Sequence, residues 1–358
     1  MLSQKEIIGK LQNLSQQIFN ETGFLTIVEP VKDAVLNQAG ERDSQPDLVM
    51  RVKTKTGKLF TVFVEVKSVG QPRYVRMAAS QLKEILPKEK NVYGVIGATF
   101  LSDASKNICI KEGLGYLDLA GNCRFQFNGV YIQIEGRPNP YPATRPLKSL
   151  FSPKSTRALR VLLQNPKKSW QVIELAREAK LSLGQTSNIK KRLLEFEWIE
   201  ETEDARFQLR APEVLLNNWS ENYSYRKNKT LSFYALDNQQ DFEKRLIDFL
   251  GQSDIRYAFA LTSGATRVAP FLRSNRVFIY IEKNIEDVAR ELDLKTVSSG
   301  ANVVFLEPYD EGVFYGCQKI NGEKVVSDIQ LYLDLKSYKE RGEEAADFIL
   351  NERLRKQW

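Results

Sequence analysis

The sequence predicts an α/β and α+β multidomain protein, and three observations support this fold class. Its 358 residues are enough for two to three domains at about 150 residues per domain. Apolar residues recur both at every second position, as in strands, and at the three-to-four spacing of amphipathic helices. Four prolines between Arg137 and Pro146 interrupt both patterns and predict a linker, because proline fixes φ and removes a backbone donor. We therefore expect domains at residues 1–140, 148–212 and 223–358.

The composition excludes several classes of protein. There is no histidine, which removes imidazole bases and histidine-ligated zinc from the available chemistry. Cys109, Cys123 and Cys317 lie far apart, a spacing that favours neither a disulfide scaffold nor a thiolate metal site. No apolar run approaches the roughly 18 residues of a membrane span, and charged residues interrupt the first ten positions, so no signal peptide is expected. We expect a cytoplasmic protein without membrane contact.

The first 140 residues read as an α/β domain. Residues 3–19 form an amphipathic helix pattern, and Ser3 with Glu6 is typical of a capping box. Strands are predicted at 47–53 and 59–67, on either side of a turn at Lys55–Lys58. The remaining predicted elements are helices at 72–86 and 102–112 and strands at 91–98, 116–119, 123–126 and 130–134.

The strand at 59–67 carries the first candidate site. Strand alternation places Glu65 and Lys67 on one face, because successive side chains point to opposite sides of a sheet. Asp47 follows Pro46 at the start of the preceding strand, so pairing of the two strands would bring Asp47 near Glu65.

Pro46-Asp47 followed by Glu65-Val66-Lys67 resembles the motif of the PD-(D/E)XK nuclease superfamily. The helix after it, with Arg73, Arg76 and Gln81, also fits that pattern. The resemblance implies a restriction-endonuclease-like domain. In it, Asp47 and Glu65 would be metal ligands for Mg²⁺, and the catalytic Lys67 would orient the attacking water. A hard cation suits such oxygen ligands. Two alternatives stay open: a surface ion pair, or a nuclease-like fold with an inactive site.

The middle of the chain is strongly basic. Between Lys148 and Arg192 there are eleven Lys or Arg residues and two acids, Glu174 and Glu178. Three helices are predicted here, and a hairpin follows them from Trp198 to Leu209. This order predicts a winged helix-turn-helix that binds double-stranded DNA. The alternative is a winged helix that contacts protein.

The third of these helices would be the recognition helix. Its polar first turns could reach base edges in the major groove, whereas its basic residues and those of neighbouring helices would contact phosphates. The candidate DNA-binding residues are Lys154, Arg157, Lys167, Lys168, Gln185, Thr186, Ser187, Asn188, Lys190 and Lys191.

Residues 223–358 predict a C-terminal α/β domain. A strand at 255–261, a Thr262-Ser263-Gly264 turn, a helix from Ala265 and a strand at 276–282 faintly resemble the nucleotidyltransferase fold. The later strand offers Tyr280 and Glu282 in place of two acids, so we read this as a degenerate scaffold or a coincidence.

Several stretches resemble the AbiEi-type antitoxin and transcriptional-regulator family of type IV toxin–antitoxin systems. They include Gly115–Arg124, Leu261–Ala265 and Val326–Leu335. The resemblance implies DNA binding, autoregulation and a partner toxin. The competing interpretation is a Mg²⁺-dependent DNA endonuclease that its winged helix directs to DNA.

The C-terminal block also suggests a role in assembly. Its charges nearly balance, and the segments Asp328–Leu335 and Glu344–Leu350 are candidates for exposed interface helices, with core packing as the alternative role for most of their residues. We therefore expect residues 223–358 to bind a toxin or a second copy in a homodimer. The alternative is that this block packs back on the winged helix.

Overall fold

The computed structural model describes residues 2–30, 45–87, 91–127, 129–140, 150–269, 274–338 and 342–358. The chain divides into two compact units, Met1–Ala143 with Glu195–Glu197, and Thr144–Leu194 with Trp198–Trp358. Both contain helices and sheets, so the mixed α/β class is confirmed. Part of the predicted linker, at 141–149 with Lys148, lies outside the described residues. Among the described residues, every helix is too short or too polar to cross a lipid bilayer.

The first unit begins with the predicted capped helix. Ser3 and Glu6 form the capping box, and Gly23 ends the helix with φ +67°, a left-handed conformation that costs glycine little. Strand β1 was not predicted. The elements are α1 (Gln4–Thr22), β1 (Leu25–Pro30), β2 (Leu48–Thr54), β3 (Leu59–Lys67), α2 (Pro72–Ile85), β4 (Val92–Ala98), α3 (Asp103–Lys111), β5 (Gly115–Asp118), β6 (Cys123–Phe127) and β7 (Val130–Ile134).

These strands form one seven-stranded sheet in chain order, β1 to β7. Strand β3 pairs antiparallel with β2 and parallel with β4. Val62 and Val64 pack with α1 on one face of the sheet, and Phe63 packs with α2 and α3 on the other. The observed alternation of β3 is therefore the predicted one, and Glu65 and Lys67 lie on the side of Phe63.

The second unit begins with three helices and a two-stranded hairpin, in the order predicted for residues 153–211. Leu159, Leu162 and Leu193 are buried among these helices. That the segment works as a winged helix stays a prediction. The elements are α4 (Pro153–Gln164), α5 (Val172–Glu178), α6 (Leu183–Glu195), β8 (Ile199–Glu201) and β9 (Phe207–Leu209).

The rest of the second unit forms a second seven-stranded sheet in the order β13-β10-β14-β12-β11-β16-β15. Because its neighbours are distant along the chain, only part of it was predicted. The elements are α7 (Pro212–Asn222), β10 (Lys229–Tyr234), α8 (Gln239–Gly251), β11 (Tyr257–Phe259), α9 (Leu261–Val268), β12 (Val277–Ile281), α10 (Ile285–Glu291), β13 (Lys295–Thr296), β14 (Val303–Glu307), β15 (Gln318–Ile320), β16 (Glu323–Val325), α11 (Asp328–Lys336), α12 (Gly342–Ile349) and α13 (Arg355–Gln357).

Two expectations for this region were wrong. Residues Asp328–Leu335 are all buried, so α11 is a central helix and not an exposed one. Thr262-Ser263-Gly264 lies inside α9 and not in a turn. The Ser263 hydroxyl donates to the Arg276 carbonyl and accepts from the Phe278 N–H, which fastens α9 to β12 and gives this serine a structural role.

Candidate functional site

The three predicted catalytic residues come together at the end of β3. Asp47 Oδ2 accepts a hydrogen bond of 2.7 Å from the Val66 N–H, between Glu65 and Lys67 in the chain. Lys67 Nζ lies 2.8 Å from Glu65 Oε1. Because β2 begins beside the end of β3, the antiparallel pairing brings Asp47 to this point. The site thus contains two carboxylates and one ammonium.

Burial dominates the electrostatics of this site. The Glu65 side chain is only 11% exposed, and its desolvation raises the pKa of that carboxyl above its ordinary value. The hydrogen bond from Lys67 lowers this pKa and the charge of Asp47 raises it. A partly desolvated carboxylate beside another carboxylate favours a bound cation, because a cation offsets both penalties.

Two glutamines complete the site. Gln4 Nε2 donates to Asp47 Oδ1 at 3.0 Å and to the Val66 carbonyl at 3.2 Å. Lys67 Nζ donates to Gln81 Oε1 at 3.1 Å, so α2 also contributes. The sequence drew attention to Gln81 but not to Gln4, since an amide at the start of a helix carries no motif by itself.

The acidic residues of α1 lie elsewhere. Glu6 accepts a 2.7 Å bond from the Ser3 N–H in the capping box, and Glu21 accepts one from Gln17. The residue of α1 that reaches Asp47 is therefore an amide. Among the described residues, no group of three or more His, Cys, Asp or Glu side chains is placed to hold a metal ion.

The donor set still fits a hard cation. Asp47, Glu65 and the Val66 carbonyl offer oxygen atoms, and Mg²⁺ is commonly held by one or two carboxylates together with water. Glu65 contributes one carboxylate oxygen to Lys67, and both oxygens of Asp47 accept hydrogen bonds. These contacts would have to rearrange around a cation.

The second candidate site is the outer face of α6. Gln185, Ser187, Asn188 and Lys191 are exposed, and the last three share one face because residues three and four apart are neighbours on a helix. Thr186 is fully buried and its hydroxyl donates to the Ser182 carbonyl. The prediction that Thr186 contacts DNA is therefore corrected.

Gln185 has a structural role at the start of α6. Its Oε1 accepts from the N–H and hydroxyl of Ser182, and its own N–H donates to the Ser182 hydroxyl. This reciprocal arrangement satisfies backbone donors that a helix start leaves free. Ser187 and Asn188 are therefore the exposed polar residues in the first turns of α6 that take no part in this cap.

The predicted basic residues fall into two groups. Lys154, Lys167 and Lys168 are exposed, and Lys168 Nζ lies 3.7 Å from the centre of the Trp170 ring. Arg157 instead lies 2.7 Å from Asp310 and also contacts Glu311. Its guanidinium is used within the unit, which corrects its predicted role as a phosphate contact.

Lys190 and Lys191 also differ. Lys190 Nζ lies 3.0 Å from Glu201 and its side chain is 16% exposed, whereas Lys191 is exposed. The hairpin itself is acidic, with Glu200, Glu203 and Asp204 exposed. The α6 helix is therefore better suited to contact phosphates than the acidic hairpin, which would repel them.

The C-terminal block contacts the three-helix segment inside the second unit. Besides the Arg157 ion pairs, Arg160 donates to Gln330 of α11, and the Trp358 indole N–H donates to the Leu163 carbonyl at 3.3 Å. Part of this block therefore packs against the predicted winged helix.

A buried polar cluster occupies the centre of the second unit. Asp334 Oδ1 accepts from Tyr223 at 2.6 Å, from Gln330 at 2.8 Å and from Tyr280 at 3.1 Å. Complete burial raises the Asp334 pKa to about 7. Glu282 pairs with Arg256. The two residues that the nucleotidyltransferase comparison singled out, Tyr280 and Glu282, thus have internal partners.

Comparisons with known proteins give matches to a solved structure and to a family profile. A solved structure described as the crystal structure of a repair endonuclease from Pyrococcus abyssi matches with 20% identity and a TM-score of 0.21. The match covers 33% of this chain and 47% of that one, so the chain spans about half the length of the endonuclease. No curated protein matches the sequence.

The second match is to a family profile. It covers residues 208–355 and is described as "Transcriptional regulator, AbiEi antitoxin, Type IV TA system". It includes Leu261–Ala265 and Val326–Leu335, two of the stretches that suggested this family; Gly115–Arg124 lies outside it. Over residues 208–355, the chain therefore matches the AbiEi antitoxin family of transcriptional regulators.

Proposed function

We propose that the protein is a DNA-binding transcriptional regulator, an antitoxin of a type IV toxin–antitoxin system in the cytoplasm. The family match over residues 208–355 carries this proposal. It begins at the end of the hairpin that follows α6, and the same unit presents the exposed polar face of α6.

Ser187 and Asn188 would read bases, and Lys191 would contact a phosphate. Asparagine can bond both edge groups of adenine in the major groove. Lysines bind phosphates without regard to sequence. Lys154, Lys167 and Lys168 are exposed on the same three-helix segment and would add to the attraction for DNA.

The test is a gel-shift titration with duplex DNA from upstream of the protein's own coding sequence. The double variant Ser187→Glu/Asn188→Glu should lose binding at least about tenfold, because two carboxylates would face the phosphates. Ser298→Glu/Ser299→Glu is the matched control, since both serines are exposed in the same unit and the net charge changes equally. Equal binding by both double variants would contradict this placement.

We further propose that residues 223–358 bind a protein partner, either the cognate toxin or a second copy in a homodimer. Light scattering on the full chain, with and without DNA, tests self-association, and a pull-down with the toxin encoded beside it tests the other partner. A monomer that captures no toxin would refute this part of the proposal.

The second candidate function is Mg²⁺-dependent cleavage of DNA, favoured by the convergence of Asp47, Glu65 and Lys67. Asp47 and Glu65 would hold the cation, which stabilises charge on a phosphodiester when bound. Lys67 is fixed by Glu65 and Gln81 and would orient water or a phosphate oxygen.

Cleavage is tested with plasmid, linear and branched DNA in the presence of Mg²⁺ or Mn²⁺. Asp47→Ala, Glu65→Ala and Lys67→Ala should each abolish cleavage while gel-shift binding persists, because the exposed face of α6 belongs to the other unit. Intact DNA with the wild-type chain on all three substrates would leave only the regulator function.

A further inference from the structure

We infer that the side-chain amide of Gln4 acts as a built-in substitute for a cation and thereby sets how tightly the Asp47–Glu65 site binds divalent metal ions. This inference rests on the second proposed function, in which that site holds a metal ion. It concerns the control of cation binding rather than cleavage itself.

The geometry is that of one positively polarised group between two oxygen atoms. Gln4 Nε2 lies 3.0 Å from Asp47 Oδ1 and 3.2 Å from the Val66 carbonyl oxygen. Both neighbours can only accept at these atoms, so the amide must present its nitrogen and not its oxygen. The same two oxygens are among the cation ligands that the site offers, so the amide and a cation compete for them.

The position of Gln4 is fixed by the start of α1. It is the first residue of the helix, immediately after the N-cap Ser3. The capping box holds that turn through the 2.7 Å bond from the Ser3 N–H to Glu6 and the 3.3 Å bond from the Glu6 N–H to Ser3 Oγ. The amide therefore reaches Asp47 from a backbone that is already ordered.

The charges explain why this amide matters. Asp47, Glu65 and Lys67 give the site a formal charge of −1, and a neutral amide adds nothing to it. A glutamate at position 4 would bring the site to −2 and replace a competing donor with an oxygen ligand. Both changes strengthen attraction for a divalent cation.

The experiment measures Mn²⁺ binding to the full chain by electron paramagnetic resonance of free Mn²⁺. Gln4→Glu should bind Mn²⁺ at least about tenfold more tightly than the wild type. Gln4→Ala, which only removes the competing donor, should bind a few-fold more tightly. Gln16→Glu is the matched control, because Gln16 is exposed on the same helix, and it should bind like the wild type.

Each result decides a different claim. Tighter binding by Gln4→Glu that is lost again in Gln4→Glu/Asp47→Asn supports the inference. Equal and measurable Mn²⁺ binding by the wild type and both Gln4 variants overturns it and leaves the cation site standing. No binding by any variant overturns both the inference and the second proposed function. Protection of the buried Cys109 and Cys123 from thiol reagents verifies that each variant is folded.

Discussion

The polar side chains of the two candidate sites differ in their partners: those of the first site bond within the protein, and those of the second face solvent. In the first unit, Lys67 bonds to Glu65 and Gln81, and Asp47 bonds to Gln4 and to the Val66 N–H. On α6 in the second unit, Ser187, Asn188 and Lys191 are exposed to solvent. The first arrangement is assembled from α1, the residue before β2, β3 and α2, whereas the second lies on a single helix.

This difference determines what a substitution does. A group with internal partners leaves them unsatisfied when it is removed, and an unsatisfied buried group costs about 1–3 kcal/mol. Removal of a group that faces water leaves no buried partner unsatisfied and changes stability little. Changes at the Asp47 site should therefore alter stability and function together, and changes at Ser187, Asn188 and Lys191 should alter function alone.

The largest expected effect is that of Asp47→Ala. It removes the acceptor of the Val66 N–H and of the Gln4 amide, and we expect the free energy of unfolding of the first unit to fall by about 2 kcal/mol. Ser187→Ala should change the free energy of unfolding of the second unit by less than about 0.5 kcal/mol. If the two losses were equal, the contrast between the sites would be wrong.

The chain itself supplies separate probes for this measurement. All four tryptophans, Trp170, Trp198, Trp219 and Trp358, belong to the second unit. Cys109 and Cys123 are buried in the first. Urea unfolding followed by tryptophan fluorescence therefore reports on the second unit, and mass-resolved labelling of the two buried thiols reports on the first.

The next effect is the pH dependence that Glu65 gives to the stability of the first unit. Burial raises the pKa of Glu65 in the folded state, so the folded state binds this proton more tightly than the unfolded state. The stabilisation is complete below the ordinary glutamate pKa and is lost as pH rises through the raised value. One such proton contributes at most about 1.4 kcal/mol per pH unit.

Glu65→Gln isolates this contribution. The wild type should lose unfolding free energy relative to Glu65→Gln as pH rises above about 4.5. Thiol labelling with dithiodipyridine at each pH measures this difference. The pH dependence of the labelling reaction itself is the same for both proteins and cancels in the comparison. A difference that stays constant with pH would show that Glu65 titrates normally.

The sequence predicted features that depend on neighbouring residues. The alternation of β3 placed Glu65 and Lys67 on one face, and the Ser3–Glu6 spacing placed the start of α1. Asp47 was located by a hairpin, in which a short turn fixes the register. Gln4 was missed because it meets Asp47 only through the packing of α1, and no local pattern reports that contact.

Burial on helices was predicted less well. Thr186 was assigned to the exposed face because it lies among polar residues, but its hydroxyl bonds to Ser182 one turn earlier, which lets a threonine be buried. Helix α11 was a candidate for an exposed helix, but Asp328 and Asp334 are both buried. Arg353 pairs with Asp328 and Tyr223 donates to Asp334 Oδ1, each from an element distant in the chain, and Gln330 donates to Asp334 Oδ1 from within α11.

The smallest expected effect is the difference between two neighbouring lysines of α6. It tests, inside one helix, the contrast between side chains with internal partners and side chains that face solvent. Lys190 pairs with Glu201 at 3.0 Å and lies 5.3 Å from the Phe207 ring, whereas Lys191 has no ion-pair partner among the described residues. Lys191→Ala should therefore leave the free energy of unfolding unchanged. It should reduce the magnitude of the salt slope, the slope of the logarithm of the DNA-binding constant against the logarithm of salt concentration, by about 0.9. Lys190→Ala should destabilise the second unit by about 0.5–1 kcal/mol, a modest loss because Glu201 is half exposed, and leave that slope unchanged.

Gel shifts at several salt concentrations measure the salt slope, and tryptophan-monitored urea unfolding measures the stability of the second unit. The reverse pattern would mean that Lys190 leaves Glu201 for a phosphate when DNA binds.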